Sequence, residues 1–531
     1  MPMRVTGLTS GLDTESIISA LVSAYDVKTQ KYTKAQTKLS WTQDAWKSLN
    51  TKVYSLYTNV SNLRFSSAYS TKKATVSDAT KASVTASSDA VNGTHKLSIN
   101  SIAQSGYMTG GKVNYPVSDD GEEPETSKVK MSDLGYTGGD TSFQVKLGNG
   151  DTKDIKLSAS STITDVVAAL REAGVNANFD EKQKRFYISS KTSGADADFN
   201  IVPKGDKFDD DGNTTKYSTD SYNLLYTLGF ANAGMAAMTD DPVGTDNKRY
   251  ATKIDGQDSS ITLDGVEYTN SDNAYSINGL SINALAETDG EITIQTATDT
   301  QAIYDKIKDF LTEYNNIINE MTKLYNADSS YGYDPLTDEE KDAMSDTEIE
   351  KWETKIKDSL LRNDTTLNGV MMAMINSMSA SYEINGEKYS LSSFGISTLG
   401  YLNAADNENY AYHIDGDADD ENTSSKEDKL MKAITESPDA VIEFMKKLTS
   451  GLYTDLGNKM KSTALSSAYT IYNDKEMNSQ YSEYSKTIST WQDKLTEKED
   501  YYYNKFAQME SALTKLQSQT SSLSGLFGSS S

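Results

Sequence analysis

Apolar residues recur at heptad spacing at the two ends of the chain, and at a spacing of two through much of the middle. Near the start, Trp46, Leu49, Val53, Leu56, Val60 and Leu63 follow a 3-4-3-4-3 step, and the series runs back through Leu39 and Tyr32. Near the finish, Leu495, Tyr502, Met509, Leu516 and Leu523 recur every seven residues, with Ile488 one heptad earlier and Trp491 and Ala512 at d-type positions. A seven-residue period holds one apolar seam on one side of a helix, and that seam must bury itself against another helix. The pattern therefore predicts a coiled coil in which residues 488–523 pair with residues 39–63. The chain leaves a helical stalk, builds something, and returns to it.

Ahead of the first seam, residues 1–12 read as a mobile lead-in. Asp13 is the candidate N-cap and Glu15 suits the first turn of a helix. Leu12, Ile17, Ile18, Leu21, Val22 and Tyr25 supply apolar positions, and the helical tendency continues to about Phe65 with a break expected between Lys28 and Gln36. From Thr71 the period becomes two, through Val76, Val84, His95, Leu97 and Ile99, with Asn92-Gly93 as a turn. Residues 110–140 read as a boundary loop. Phe143 to Leu157 form a hairpin about Asn149-Gly150, Val166, Val167 and Leu170 a short helix ending at Gly174, and Phe186 and Ile188 a further strand. Residues 203–220 are acidic and turn-rich, and strands resume after Arg249. At Asp299 the period returns to that of a helix, with Ile303, Ile307, Phe310, Leu311, Tyr314 and Ile318 on one stripe. Met371, Met374, Ile375 and Met378 form a second stripe, read as core packing. The segments 326–350 and 403–429 read as acidic loops, and the Gly/Ser-rich end as frayed.

The fold class expected is α+β and multidomain: a helical coiled-coil leg made from both termini, carrying inserted β-rich head domains. The boundaries are a flexible segment 1–40, a leg helix 41–70, a head domain from 71–130 with 250–297, a distal head domain 131–249, a helical leg domain 298–487, and a C-terminal helix and tail 488–531. The length of 531 residues suits roughly three to four domains.

Composition narrows the function. A net charge of -26 argues against a general binder of nucleic acid or of anionic membranes. The charge is uneven, since residues 1–75 carry an excess of basic side chains, read as lysines flanking a solvated helix. There is no cysteine, so thiolate chemistry and disulfides are unavailable. No apolar run is long enough to span a membrane, and the first residues lack the pattern of a cleavable secretion signal.

Candidate chemistry is sparse. Gly106-Tyr-Met-Thr-Gly-Gly111-Lys112-Val113 approaches a P-loop, but Val113 stands where a hydroxyl must ligate magnesium, and Pro116 and Asp119-Asp120 follow instead of a helix. Asp415, Asp417 and Asp419 match three positions of a calcium loop, but Asp420 replaces its glycine and Lys426 its final glutamate. Only His95 and His413 are present, which removes two-histidine metal sites at helical spacing, and His95 reads as half-buried packing. No catalytic, metal or cofactor residue is assigned, and the chain is not expected to be an enzyme.

The residues also resemble a known family. Gly7-Leu-Thr-Ser-Gly-Leu-Asp13 with Ile17, Ile18 and Leu21 resembles the start of bacterial flagellar filament-capping proteins, the hook-associated protein 2 (FliD) family. So does Ala86-Ser-Ser-Asp-Ala-Val-Asn-Gly93 through Ala103-Gln104. Gly174 to Asp180, Arg185 to Ser190 and Thr192 to Gly194 resemble an insertion motif of capping proteins and flagellins. Leu263-Asp-Gly265-Val266, Asn273, Ile277-Asn-Gly279, Asp299, Phe310 with Tyr314-Asn315, Ser393 to Ile396, and the helix of Tyr502, Phe506, Glu510 and Leu513 follow the family's C-terminal region in order. The resemblance implies an extracellular protein at the tip of the flagellum, exported without a cleaved signal. It implies a homo-oligomeric ring, most simply a pentamer, that holds emerging flagellin while it folds and inserts. Flagellin, hook–filament junction proteins and an export chaperone at the C-terminal helix are the implied partners, with no nucleic acid and no membrane insertion. Leu12, Ile17, Ile18, Leu21 and Val22 would then contact the filament, and the two seams would carry assembly. The competing reading is a secreted β-rich adhesin or other appendage protein with helical ends, and an enzyme ranks third.

Overall fold

In a computed structural model of the chain, the structure describes residues 10–117, 123–209, 212–244 and 249–527. Gly7 of the opening motif, the Asp119-Asp120 pair and the extreme Gly/Ser tail lie outside these residues. The chain forms two units, one of residues up to Ser70 together with Thr300 onward, the other Thr71–Asp299.

The first helix, α1, spans Thr14–Leu63. Asp13 caps it, accepting from the Ser16 amide at 3.1 Å. The break expected between Lys28 and Gln36 does not occur. That stretch holds neither glycine nor proline, and Thr29 and Thr33 turn their hydroxyls back onto the carbonyls of Tyr25 and Thr29 at 3.1 and 3.0 Å. Such back-bonding keeps the side chains inside the helix. Residues 14–40, expected to be flexible, are therefore the first half of one 50-residue helix.

The inserted unit has two apolar cores. The first lies under a five-stranded antiparallel sheet ordered Lys72–Val76, Ile292–Thr298, Gly93–Ser101, Ser259–Leu263 and Val266–Asn270. It is shared with a three-stranded sheet of Ala274–Ile277, Leu280–Ala284 and Ala82–Ala86. Leu97, Ile99, Ile261, Ile282 and Ile294 fill it, the inward halves of alternating strands. Two hairpins turn on Asp264-Gly265 and Asn278-Gly279, all four residues at positive φ, the geometry that suits the right-handed twist of the flanking strands.

The second core joins the sheets Thr252–Ile254, Tyr107–Thr109, Arg185–Ser189, Asn176–Asp180 and Thr152–Leu157, Thr141–Leu147, Phe199–Pro203. Helices α2 (Ile163–Glu172), α3 (Thr219–Leu228) and the short α4 (Ala233–Ala237) accompany them. Phe143, Phe186, Phe199 and Phe230 are wholly buried there. The stretch read as a boundary loop, 110–140, is irregular but not peripheral. Val113, Val129, Met131, Leu134 and Tyr136 are buried in this second core, so Met108, Val113 and Val129 pack with the lobe that the sequence placed after residue 130. The acidic 203–220 stretch contains a hairpin, Gly205–Phe208 with Thr214–Tyr217.

The helical unit resumes with α5 (Thr300–Tyr325), α6 (Asp338–Asp342), α7 (Asp346–Asp358), α8 (Thr365–Met378), α9 (Lys429–Glu436), α10 (Pro438–Lys459) and α11 (Asp474–Phe527). The apolar stripe of α5 is buried throughout. Met371, Met374 and Met378 of α8 are core residues, as the sequence indicates. The acidic excursion 326–350 contains α6 and the start of α7, and α6 is tied to α1 by Lys34 and Glu340 at 2.6 Å.

Candidate assembly surface

Both seams exist, but not as a pair. Trp46, Leu49, Val53, Leu56, Val60 and Leu63 are buried in one core with α5, α8 and α10, while the seam of α11 meets the first half of α1. Tyr25 and Trp491 lie 6.3 Å apart, ring to ring, and Tyr32 and Tyr484 6.4 Å apart. Lys28 and Lys494 both sit over the Trp491 ring, at 4.4 and 4.5 Å. The expected pairing of 488–523 with 39–63 is thus corrected. The physical reason is connectivity: α10 already covers the second half of α1, so α11, running back antiparallel from Asp474, can reach only the first half.

A polar ladder fixes this register. Gln36 donates to Ser485 Oγ at 2.6 Å, Gln43 to Asn478 Oδ1 at 3.1 Å, and Asn50 Oδ1 accepts from the Ile471 amide at 2.9 Å. Each step is seven residues up one strand of the chain and seven down the other. Trp46 stacks on Tyr472 at 5.5 Å between the last two rungs. Amides at one face of a helix pair specify alignment, because any slip leaves them without partners. A search for hydrophobic heptads passes over Gln36, Gln43 and Asn50; a search for amides at the same period finds them.

The excess of basic residues near the start meets acids of the same chain. Lys52 pairs with Glu320 at 2.6 Å, and Asn59 donates to Glu313 at 2.6 Å. With Lys34–Glu340, part of the positive charge read as solvated is matched internally. Lys34 and the Thr337 amide hold the Glu340 carboxyl below its ordinary range.

Burial along the pair fades toward its far end. Leu39, Ile488, Trp491, Leu495, Tyr502 and Met509 are half-buried, and Ser10 hydrogen-bonds Glu510 through its hydroxyl. From Ser511 to Ser524 every residue is exposed, with Leu516 at 58% and Leu523 at 53%. On α1, Ile18 and Val22 are buried, whereas Ile17 and Leu21, and Leu12 just ahead of the helix, are exposed. The described residues of this unit therefore leave two neighbouring apolar stretches open, one at the start of α1 and one on the last turns of α11.

The near-motifs resolve into structure. Tyr107–Thr109 of the P-loop-like stretch is a sheet strand, and a Cβ at Gly111 would lie 2.1 Å from the Arg249 carbonyl oxygen, so that backbone is packed against protein rather than open to phosphate. In the calcium-like loop, Lys308 Nζ lies 2.7 Å from Asp417 and 2.6 Å from Asp419, and Lys426 lies 2.8 Å from Asp415. Ammonium groups stand where a metal would. His95 Nδ1 is 2.7 Å from Asp264 at a hairpin turn, and that contact, with the Lys96 amide, lowers the Asp264 pKa.

The arrangement defines a class: a protein whose two ends build one paired-helix element around a helical core, with a β-rich unit spliced between them. The profile of the flagellar hook-associated protein 2 N-terminus matches residues 10–106, and that of its C-terminus residues 256–518. The chain is 23% identical to flagellar hook-associated protein 2 of Halalkalibacterium halodurans, over 99% of this chain and 100% of that one. It is also 23% identical to the protein of the same name from Thermotoga maritima, over 99% and 96%. Among solved structures, the D1-D2-D3 domains of the Escherichia coli flagellar cap protein align with 18% identity and a TM-score of 0.46, covering 79% of this chain and 97% of that one. The chain belongs to the flagellar hook-associated protein 2 (FliD) family.

Proposed function

We propose that the chain is a structural cap at the distal end of a bacterial flagellar filament, working outside the cell, where it retains exported flagellin and promotes its folding and insertion. The observation that carries this reading is the match of both family profiles, one at each end of a chain that two curated relatives parallel almost throughout. The open apolar stretches at Leu12, Ile17 and Leu21 and at Leu516 and Leu523 support a docking role for the free end of the helix pair. Exposed apolar surface of this kind marks a place for a partner.

The working form is a closed homo-oligomeric ring, a pentamer in the simplest case, because a cap must offer repeated legs to the subunits of a helical filament and head-to-tail contacts that close make rings. Flagellin and the hook–filament junction proteins meet the free ends of the legs, and an export chaperone covers the last turns of α11 before secretion. Among the described residues no helix is long and apolar enough to cross a membrane.

The test uses a strain whose own copy carries Leu516→Asp and Leu523→Asp. Both positions are exposed, so the protein should fold normally; with the variant recovered from the medium, which separates capping from the chaperone's hold on the same turns, cells should build hooks and shed monomeric flagellin without filaments. Normal filaments from the exported variant would remove the assignment of this seam to capping. A strain deleted for the whole gene that still grows filaments would remove the capping function itself.

A further inference from the structure

The helical unit contains a cavity of about 1130 Å³ between α5 and the loop 398–412. The loop is closed at its base by a short ladder, Ile396 with Ile414 and Ser397 with His413. It is fastened to α5 at its exit, where the Asn315 side chain donates to the Tyr412 carbonyl at 2.7 Å and accepts from the Tyr412 amide at 2.8 Å. A second amide pair, Asn326 to Asn407 at 3.4 Å, fastens its middle. The cavity is therefore held by its own framework.

Other polar groups in its wall serve no such purpose. Among the described residues, the side chains of Asp406, Asn409 and Tyr410 make no hydrogen bond within the protein, and Tyr401 is 84% exposed at the rim. Tyr314 closes the inner wall, completely buried, with its hydroxyl lacking a partner and burial pushing its pKa up.

The lining selects the ligand by exclusion. It contains no Lys, Arg or His, so nothing recognises a phosphate or carboxylate. Asp406 is its one carboxylate, too few oxygen donors of that kind for a divalent cation. Ile375, Ala404 and Ala405 are its only aliphatic walls, too little for an acyl chain. An extended peptide needs a run of free strand edge, and the ladder here is two residues long. What fits is a ligand with hydroxyls for a planar amide and a carboxylate, and with C–H faces to lie on tyrosine rings. We propose that this cavity is a binding site for a neutral saccharide.

This assignment is independent of the capping function. Saturation-transfer NMR on the full chain, with glucose, galactose, N-acetylglucosamine and their neutral disaccharides as probes, tests it directly. The same sugars coupled to a carrier protein, on an array, separate a free sugar from a glycan borne on a surface. At least one probe should give transfer. Asn409→Ala and Asp406→Asn should each weaken it by about tenfold, the loss of one hydrogen bond to a ligand, and Tyr410→Ala should weaken it too. These partly exposed substitutions should leave the melting temperature in place, so a lost signal cannot be blamed on unfolding. Absence of transfer from every probe at millimolar concentration would overturn the proposal. So would transfer undiminished in the Asn409→Ala, Tyr410→Ala double variant, or a peptide library binding at this loop where the sugars do not.

Discussion

Leu56 and Leu516 both lie on a heptad seam in the sequence, yet their substitution should have opposite consequences. Leu56 is 0% exposed, enclosed by the core that α1 shares with α5, α8 and α10; Leu516 is 58% exposed. Truncating a buried leucine removes its transfer free energy and leaves a cavity, together about 2.7–5 kcal/mol. In a unit of this size one kcal/mol moves the midpoint by about 2–4 °C, so Leu56→Ala should lower the melting of the helical unit by roughly 5–20 °C. Leu516→Ala removes little that is buried and should fall within about 0.5 kcal/mol of the parent. Differential scanning calorimetry with the helical signal at 222 nm as a second probe reads both. The strands of the inserted unit, which has cores of its own, should survive Leu56→Ala. Equal melting of the two variants would show that α11 does bury its last heptads against the second half of α1, and would refute the register that Gln36, Gln43 and Asn50 set.

Further consequences follow from the same contacts. Gln43→Leu should raise the stability of the helix pair while loosening its alignment; cysteines placed at Gln36 and Ser485 should then crosslink less efficiently than in the parent with Gln43 intact. Trp491→Ala, which removes the contacts to Tyr25, Lys28 and Lys494, should speed proteolysis of α11 without unfolding the core. The Glu340 carboxyl is held below its ordinary value of 4.5, first by Lys34. Its contribution is therefore present above that value and lost as pH falls through the lower, folded one. Amide exchange in α6 should quicken in that acid window, by a fraction of a kcal/mol because the pair is half-exposed, and Lys34→Ala should flatten the dependence. Chelator should leave the melting of the parent unchanged, since Lys308 neutralises Asp417 and Asp419. Lys308→Met should lower it and make it respond to added calcium.

How far the sequence reveals this molecule depends on which signal each element carries. The stripe of α5 and Met371, Met374 and Met378 of α8 are legible because burial on one face of a helix writes itself as a period near 3.6, and all are buried where the period puts them. The hairpins at Asp264-Gly265 and Asn278-Gly279 are legible because their turns demand positive φ. The continuity of α1 is obscured by threonines, whose low propensity suggests a break that their back-bonded hydroxyls avert. Pairing is a different kind of fact. Two heptad seams state that each needs a partner but not which one, and here the choice is made by α10, whose apolar face reaches the second half of α1 before α11 begins. What carries the alignment is polar: Gln36, Gln43 and Asn50 at the heptad period, meeting Ser485, Asn478 and Ile471 at the same spacing on the returning chain. The cavity beside α5 leaves no trace in any periodicity, because its wall is a loop held by Asn315 of α5 and by Asn326 just past the end of that helix, both distant in sequence. A hydrophobic pattern reports that a surface is covered. The amides report what covers it, since a slipped apolar contact loses little and a slipped hydrogen bond loses its partner.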